Sequence, residues 1–153
     1  MRDLPEGSPA PGFDMATNGG GRVSLAGASG PVVLYFYPKA DTPGCTTEGK
    51  DFSERIDAFA AAGATVIGVS RDAVKKLDRF KTKHDLKVVL ASDEPGDVTE
   101  AYGVWGEKQL YGRTYMGVER ATFLIVDGVV RRAWRKVAVK GHAQEVLEAV
   151  PAL

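Results

Sequence analysis

Residues 31–45 read PVVLYFYPKADTPGC, and the change of pattern inside this stretch decides the fold. The first seven, PVVLYFY, form an unbroken run of β-branched and aromatic residues. That is the pattern of a strand buried on both faces, and it predicts the centre of a sheet. The breaker-rich PKADTPG ends the strand. From about 43 to 62, Phe52, Ile56, Phe59 and Ala60 recur at helical spacing, and Gly63 offers a stop, which predicts one helix of roughly five turns.

Outward from this strand and helix the pattern repeats. ATVIGVS (64–70) reads as a second buried strand, and residues 72–84 return to helical spacing through Val74, Leu77 and Phe80. Alternation of strand and helix implies parallel pairing. A shorter strand at KVVLAS and a brief helix from Val98 to Tyr102 precede an aromatic, glycine-punctuated segment, Gly103 to Gly117. Its length marks it as a functional loop. ATFLIV and VVRRAWRKV flank Asp127-Gly128, a strong hairpin signal, and an amphipathic helix runs from about His142 to Val150. The first thirty residues are rich in Pro and Gly and hold one strand candidate, RVSL (22–25), in an extended lead-in with a hairpin. The sum is an α/β chain of one domain, residues 1–153, with a central mixed β-sheet flanked by helices.

Composition narrows the function classes. A chain of 153 residues with 44% hydrophobic and 26% charged residues can bury its own core. Twenty Lys and Arg balance twenty Asp and Glu, so no basic footprint points to nucleic acid or anionic lipid, and small neutral partners are expected. No stretch approaches the 18 or so apolar residues of a membrane span. MRDLPEGSPAPGFDM has no apolar run behind its arginine, which argues against an export signal and for a cytoplasmic protein. The single cysteine excludes an internal disulfide framework and a thiolate zinc site. The two histidines, His84 and His142, lack ligand spacing and are expected in solvent at helix ends. No metal or cofactor is expected.

That cysteine, Cys45, falls just beyond a buried strand and just inside a helix, the crevice where α/β sheets bind ligands. Pro43 pushes Thr42 out of helical conformation while itself suiting the first helical position, so Thr42 is the natural N-cap. Cys45 is then the third helical residue, where unpaired N–H groups and the helix dipole favour an anion. Helix N-termini and nearby cations can bring a thiol from a pKa of about 8.5 to roughly 3.5–7.5. A lone cysteine is also among the most buried residue types and behaves as a small hydrophobe. The Gly/Pro-shaped turn at a helix start, outside any apolar stripe, favours the reactive reading.

Pro38-x-x-x-Thr42-x-x-Cys45 resembles the active-site signature of peroxiredoxins. YPKADTPGCTTEGKDF, GVSRD, LASD, AYGVWGEK, YMGVERATFLI and KVAVKGH are similar to the bacterioferritin comigratory protein or peroxiredoxin Q branch, from about Pro9 to Val150. The resemblance implies a thioredoxin-like fold, a hydroperoxide substrate and Cys45 as the peroxidatic cysteine. It implies that Pro38 shields the thiolate, that Thr42 hydrogen-bonds thiolate and peroxide, and that Arg120 steps in from a neighbouring strand. Such donors would stabilise charge developing on the leaving oxygen. For each a plainer reading exists: a strand-ending Pro38, a Thr42 that only caps, a solvent-exposed Arg120. Glu48 matches the same pattern but is read only as support for the helix start. Trp105, Tyr111, Tyr115 and Met116 are read either as a wall near Arg120 or as packing.

Relatives of this branch often carry a resolving cysteine five residues after the peroxidatic one, where this chain has Lys50. The expected cycle therefore uses one cysteine and an external thiol, such as thioredoxin, a glutaredoxin-like protein or glutathione. The expected assembly is a monomer or weak homodimer. A lingering sulfenic acid risks overoxidation. The rival class is a peroxide-sensing redox switch or holdase, distinguished by slow turnover coupled to a partner.

Overall fold

The computed structural model describes residues 4–150. Its nine strands and five helices follow one another as β1 (Asp14–Thr17), β2 (Arg22–Ser24), β3 (Val32–Phe36), α1 (Pro43–Glu54), α2 (Ile56–Ala61), β4 (Thr65–Ser70), α3 (Val74–His84), β5 (Val89–Ser92), α4 (Asp97–Ala101), β6 (Trp105–Leu110), β7 (Arg113–Val118), β8 (Ala121–Val126), β9 (Val129–Trp134) and α5 (His142–Ala149). Seven strands form a mixed sheet in the order β2-β1-β5-β4-β3-β8-β9. The strands β3, β4 and β5 run parallel, while β1, β8 and β9 join antiparallel to their neighbours. The PVVLYFY strand is interior, as expected, but β4 holds the central place.

Alternation along the buried strands builds two cores. Val33, Tyr35, Val66, Leu90 and Leu124 face Phe52, Phe59, Leu77, Phe80 and Val146 of the helices α1, α2, α3 and α5. Val32, Leu34, Phe36, Ile67 and Val69 face Val98 of α4, Tyr102 and Phe13. Period-two side chains on strands with helices over each face are what a continuous apolar run demands. Gly68 has no side chain because the Tyr35 ring lies over it: a Cβ there would stand 2.6 Å from Tyr35 Cζ.

Four expectations change. The lead-in holds a second strand, β1, paired antiparallel with β2 and with β5. The single helix over 43–62 is two, broken at Arg55 (φ −108°, ψ 10°). Its own side chain supplies a reason: Arg55 Nη1 donates to the Asp51 carbonyl at 2.9 Å, the acceptor its backbone N–H would use in a continuing helix. The segment Gly103–Gly117 is not a loop but most of a separate two-stranded sheet, β6 with β7. Its turn, Tyr111-Gly112, has φ 53° and 77°, like the Asp127-Gly128 turn at 52° and 76°; both suit the twist of a tight hairpin. Finally, His142 is buried, 5% exposed, with Nε2 2.7 Å from Thr122 Oγ1 and its ring edge-on to Phe52 and Trp134. His84 is half-buried, with Nε2 in hydrogen-bond contact with Asp41 Oδ1 at 2.7 Å. Neither histidine is the solvated helix end that the sequence suggests.

Candidate active site

The turn from β3 into α1 is tied down residue by residue. Tyr37 N–H donates to the Val69 carbonyl at 3.0 Å, and Ala40 N–H donates to Asp72 Oδ2 at 2.8 Å. Asp41, at φ 63°, is gripped by Lys83 Nζ at 2.9 Å and His84 Nε2 at 2.7 Å, both near the end of α3. Pro38 is half-buried in this turn. Thr42 is the N-cap residue, with extended φ −97° and ψ 157°, but its hydroxyl makes no cap bond. It donates instead to the Lys39 carbonyl at 2.7 Å, closing the turn.

The first bond of the helical ladder is Thr46 N–H to the Thr42 carbonyl, 2.8 Å. The N–H groups of Gly44 and Cys45 therefore lie ahead of the ladder, at the positive end of a twelve-residue helix. Cys45 itself is 2% exposed. From the segment between β7 and β8, Arg120 reaches across with Nη2 3.3 Å from Cys45 Sγ and Nη1 2.5 Å from Glu48 Oε1. Gly44 makes room for it: a Cβ there would stand 3.2 Å from Arg120 Nη2. The structure thus joins Cys45 and Arg120, places Thr42 at the start of the same helix, and leaves Pro38 in the turn before it.

Glu48 belongs to this cluster, contrary to its reading as a helix-start charge. It lies one turn after Cys45, is 1% exposed, and leaves Oε2 buried without a hydrogen-bond partner among the described residues. Burial pushes its carboxyl pKa up to about 7, against the pull of Arg120. Burial works against the Arg120 charge too, but Glu48 and Cys45 more than offset it and hold that guanidinium above its ordinary range. Below pH ~7 the carboxyl therefore takes up a proton, and the Arg120 charge beside the sulfur loses the support of Glu48. Its sequence signal is the spacing of three from Cys45, which puts both on one helix face.

The β6–β7 hairpin borders the cluster through Lys108. Burial, then Arg120, depresses its pKa, while Cys45 and Glu119 oppose the shift. Of the four hairpin residues read as wall or packing, Trp105 packs beneath Arg71, whose Cζ is 3.4 Å from the ring centroid. Tyr111, 95% exposed, stands at the hairpin tip in solvent, and Tyr115 and Met116 are about half exposed. Among the described residues no group of three or more His, Cys, Asp or Glu could hold a metal ion, and no helix is long and apolar enough to cross a membrane.

The site is thus a buried cysteine at a helix start, bridged by arginine to a carboxylate, beside a mixed α/β sheet. Residues 7–133 match the AhpC/TSA family. The chain is 44% identical over 144 residues to peroxiredoxin Bcp of Bacillus subtilis, covering 93% of this chain and 92% of that one. It is 46% identical over 148 residues to peroxiredoxin Bcp of Xanthomonas campestris, covering 94% and 92%. Among solved structures, Xanthomonas campestris peroxiredoxin Q superposes with a TM-score of 0.87 at 45% identity, over 92% of this chain and 90% of that one. A cysteine-to-serine mutant of Xylella fastidiosa PrxQ gives 0.93 at 37% identity, over 99% and 98%. The chain therefore belongs to the AhpC/TSA family, within its Bcp and peroxiredoxin Q branch, and it lacks a resolving cysteine.

Proposed function

We propose that Cys45 is the peroxidatic nucleophile of a one-cysteine cycle that reduces hydrogen peroxide and organic hydroperoxides with electrons from an external thiol. The observation that carries this reading is the 3.3 Å approach of Arg120 Nη2 to the sulfur of the chain's single cysteine. The Cys45 thiolate attacks one peroxide oxygen; an S–O bond forms as the O–O bond breaks, and the departing alkoxide or hydroxide takes up a proton. Cys45 is left as sulfenic acid. The Arg120 guanidinium and the N–H groups ahead of the α1 ladder stabilise the charge that gathers on the leaving oxygen. Thr42 keeps acceptor lone pairs on its hydroxyl while donating to Lys39, and Pro38 restricts water at the mouth of the turn.

An external thiol then displaces water from the sulfenic acid to give a mixed disulfide. A second thiol releases Cys45 and leaves as the other half of a new disulfide. Thioredoxin, a glutaredoxin-like protein and glutathione all have this chemistry, and we place the cycle in the cytoplasm, where such thiols are kept reduced. The experiment is peroxide consumption with each reductant in turn, using hydrogen peroxide and an alkyl hydroperoxide. Wild type without reductant should consume one equivalent and carry a trappable sulfenic acid at Cys45; with the right reductant it should turn over. Cys45→Ser should do neither, and turnover by that variant would end the reading.

A further inference from the structure

Glu119 and Arg120 are sequence neighbours whose side chains part company. Arg120 goes to Cys45 and Glu48, while Glu119, 7% exposed, turns to the end of the main sheet. There Arg135 forks onto its carboxylate, Nε to Oε2 at 2.7 Å and Nη2 to Oε1 at 3.2 Å. The N–H of Lys136 adds a third bond to Oε2 at 3.0 Å. Arg135 Nη2 also donates to the Gly103 carbonyl at 2.8 Å. Two backbone bonds flank the pair: Glu119 N–H to the Val104 carbonyl at 2.7 Å, and Val137 N–H to the Arg120 carbonyl at 2.9 Å. Burial opposes the Glu119 charge, but Arg135 and the Lys136 N–H outweigh it and hold its pKa below the usual value.

Three chain segments meet at this clamp: the entry to the hairpin at 103–104, its exit at 119–120, and the chain beyond β9 at 135–137. The meeting matters because Arg120 belongs to no strand. It lies between Val118, the end of β7, and Ala121, the start of β8, so no strand ladder holds its backbone. Misplacing a catalytic group by about 1 Å can cost on the order of 100-fold in rate. A buried ion pair is a weak device for stability alone, since apolar replacements often do as well. It is a good device for fixing geometry when the fork is bidentate.

We infer that Glu119 and Arg135 are positioning residues for the reaction at Cys45: their ion pair fixes the backbone of Arg120 so that its guanidinium spans Cys45 Sγ and Glu48. The inference rests on the peroxidase reading above. If the pair acts through Arg120, its removal has no further effect once Arg120 is gone.

The test is a double-mutant cycle on single-turnover oxidation of Cys45 by peroxide, with melting midpoints recorded in parallel. Arg135→Ala should slow oxidation by on the order of tenfold or more. Arg135→Lys should recover part of the rate, because a point charge replaces only part of a planar fork. In an Arg120→Ala background, adding Arg135→Ala should change the rate little. Glu119→Gln, which keeps size and loses charge, should give the same pattern and serves if Arg135→Ala fails to fold. Two results would overturn the inference alone: a lowered melting midpoint with an unchanged oxidation rate, or penalties at Arg135 and Arg120 that multiply. Failure of the wild type to oxidise at Cys45 would overturn the peroxidase reading and this inference with it.

Discussion

Cys45 and Glu48 lie one helical turn apart, and Arg120 closes on both from 75 and 72 residues away along the chain. That distance explains what the sequence reveals at this scale and what it hides. The Pro38, Thr42 and Cys45 spacing is local and legible, and Arg120 is legible through its motif. Glu48 reads as an ordinary helix-start acid until the fold brings the guanidinium to it, because a partner so far along the chain leaves no periodic trace. The Thr42 hydroxyl is misread in a different way: a serine or threonine at an N-cap position usually accepts a bond from the first helical N–H groups, but here the hydroxyl turns back to donate to the Lys39 carbonyl and accepts none of them. For Arg120 the expected consequence is kinetic. Losing one preorganised donor of this kind costs roughly 10²–10³ in rate. Arg120→Ala should slow sulfenic acid formation by about that factor, and Arg120→Lys should recover only part of it. Stopped-flow oxidation with one equivalent of peroxide measures both, and an unchanged rate in the alanine variant would remove Arg120 from the chemistry.

Among the elements, β3 is legible because an unbroken apolar run has one economical fate, burial on both faces of a sheet. The β6–β7 hairpin is not, since WGEKQL and RTYMGV stand outside the main sheet with mostly exposed side chains and no apolar alternation to read. Nor does helical spacing reveal the break at Arg55, which comes from a side chain bonding back to a carbonyl. The continuity of α1 before that break is testable through Lys50, the position where relatives carry a resolving thiol. Residues 45 and 50 both lie in α1, and five residues on an α-helix set Cα atoms about 8.7 Å apart, beyond the roughly 7 Å a disulfide tolerates. In Lys50→Cys, peroxide should therefore drive a disulfide to Cys45 only through melting of the first turns. Gly49 does not ease that melting: its Cα faces Leu86, where a Cβ would stand 3.1 Å from Leu86 Cδ1, so this part of α1 is packed as well as hydrogen-bonded. Mass spectrometry maps the bond and far-ultraviolet circular dichroism follows the helix. Rapid bond formation with full helix signal would contradict α1 as described.

At the scale of the whole molecule, two buried titratable groups oppose one another in how stability depends on pH. Burial raises Glu48 from 4.5 in an unfolded chain to about 7. The folded state therefore holds a proton that the unfolded state releases, and stability falls as pH rises through that window. Burial lowers His142 from 6.5 to about 4. The unfolded state then takes a proton that the folded state refuses, and stability falls as pH drops through that window. A pKa difference of one is worth about 1.4 kcal/mol, so each group penalises the fold by about 3 kcal/mol on its far side. Between about 4.5 and 6.5 the two slopes are equal and opposite, and together they contribute almost no pH dependence. Removing either group should expose the other. Relative to wild type, His142→Asn should lose stability steadily as pH rises from about 4 to about 6.5, as its advantage from no longer burying a base disappears. Glu48→Gln should gain on wild type as pH rises from about 4.5 to about 7, because it never has to bury a carboxylate. Urea unfolding at closely spaced pH values gives both differences, with every other titrating group cancelling between variant and wild type. Differences that stay constant with pH would show that Glu48 and His142 titrate alike folded and unfolded, and would overturn the assignment of these opposing slopes to their burial.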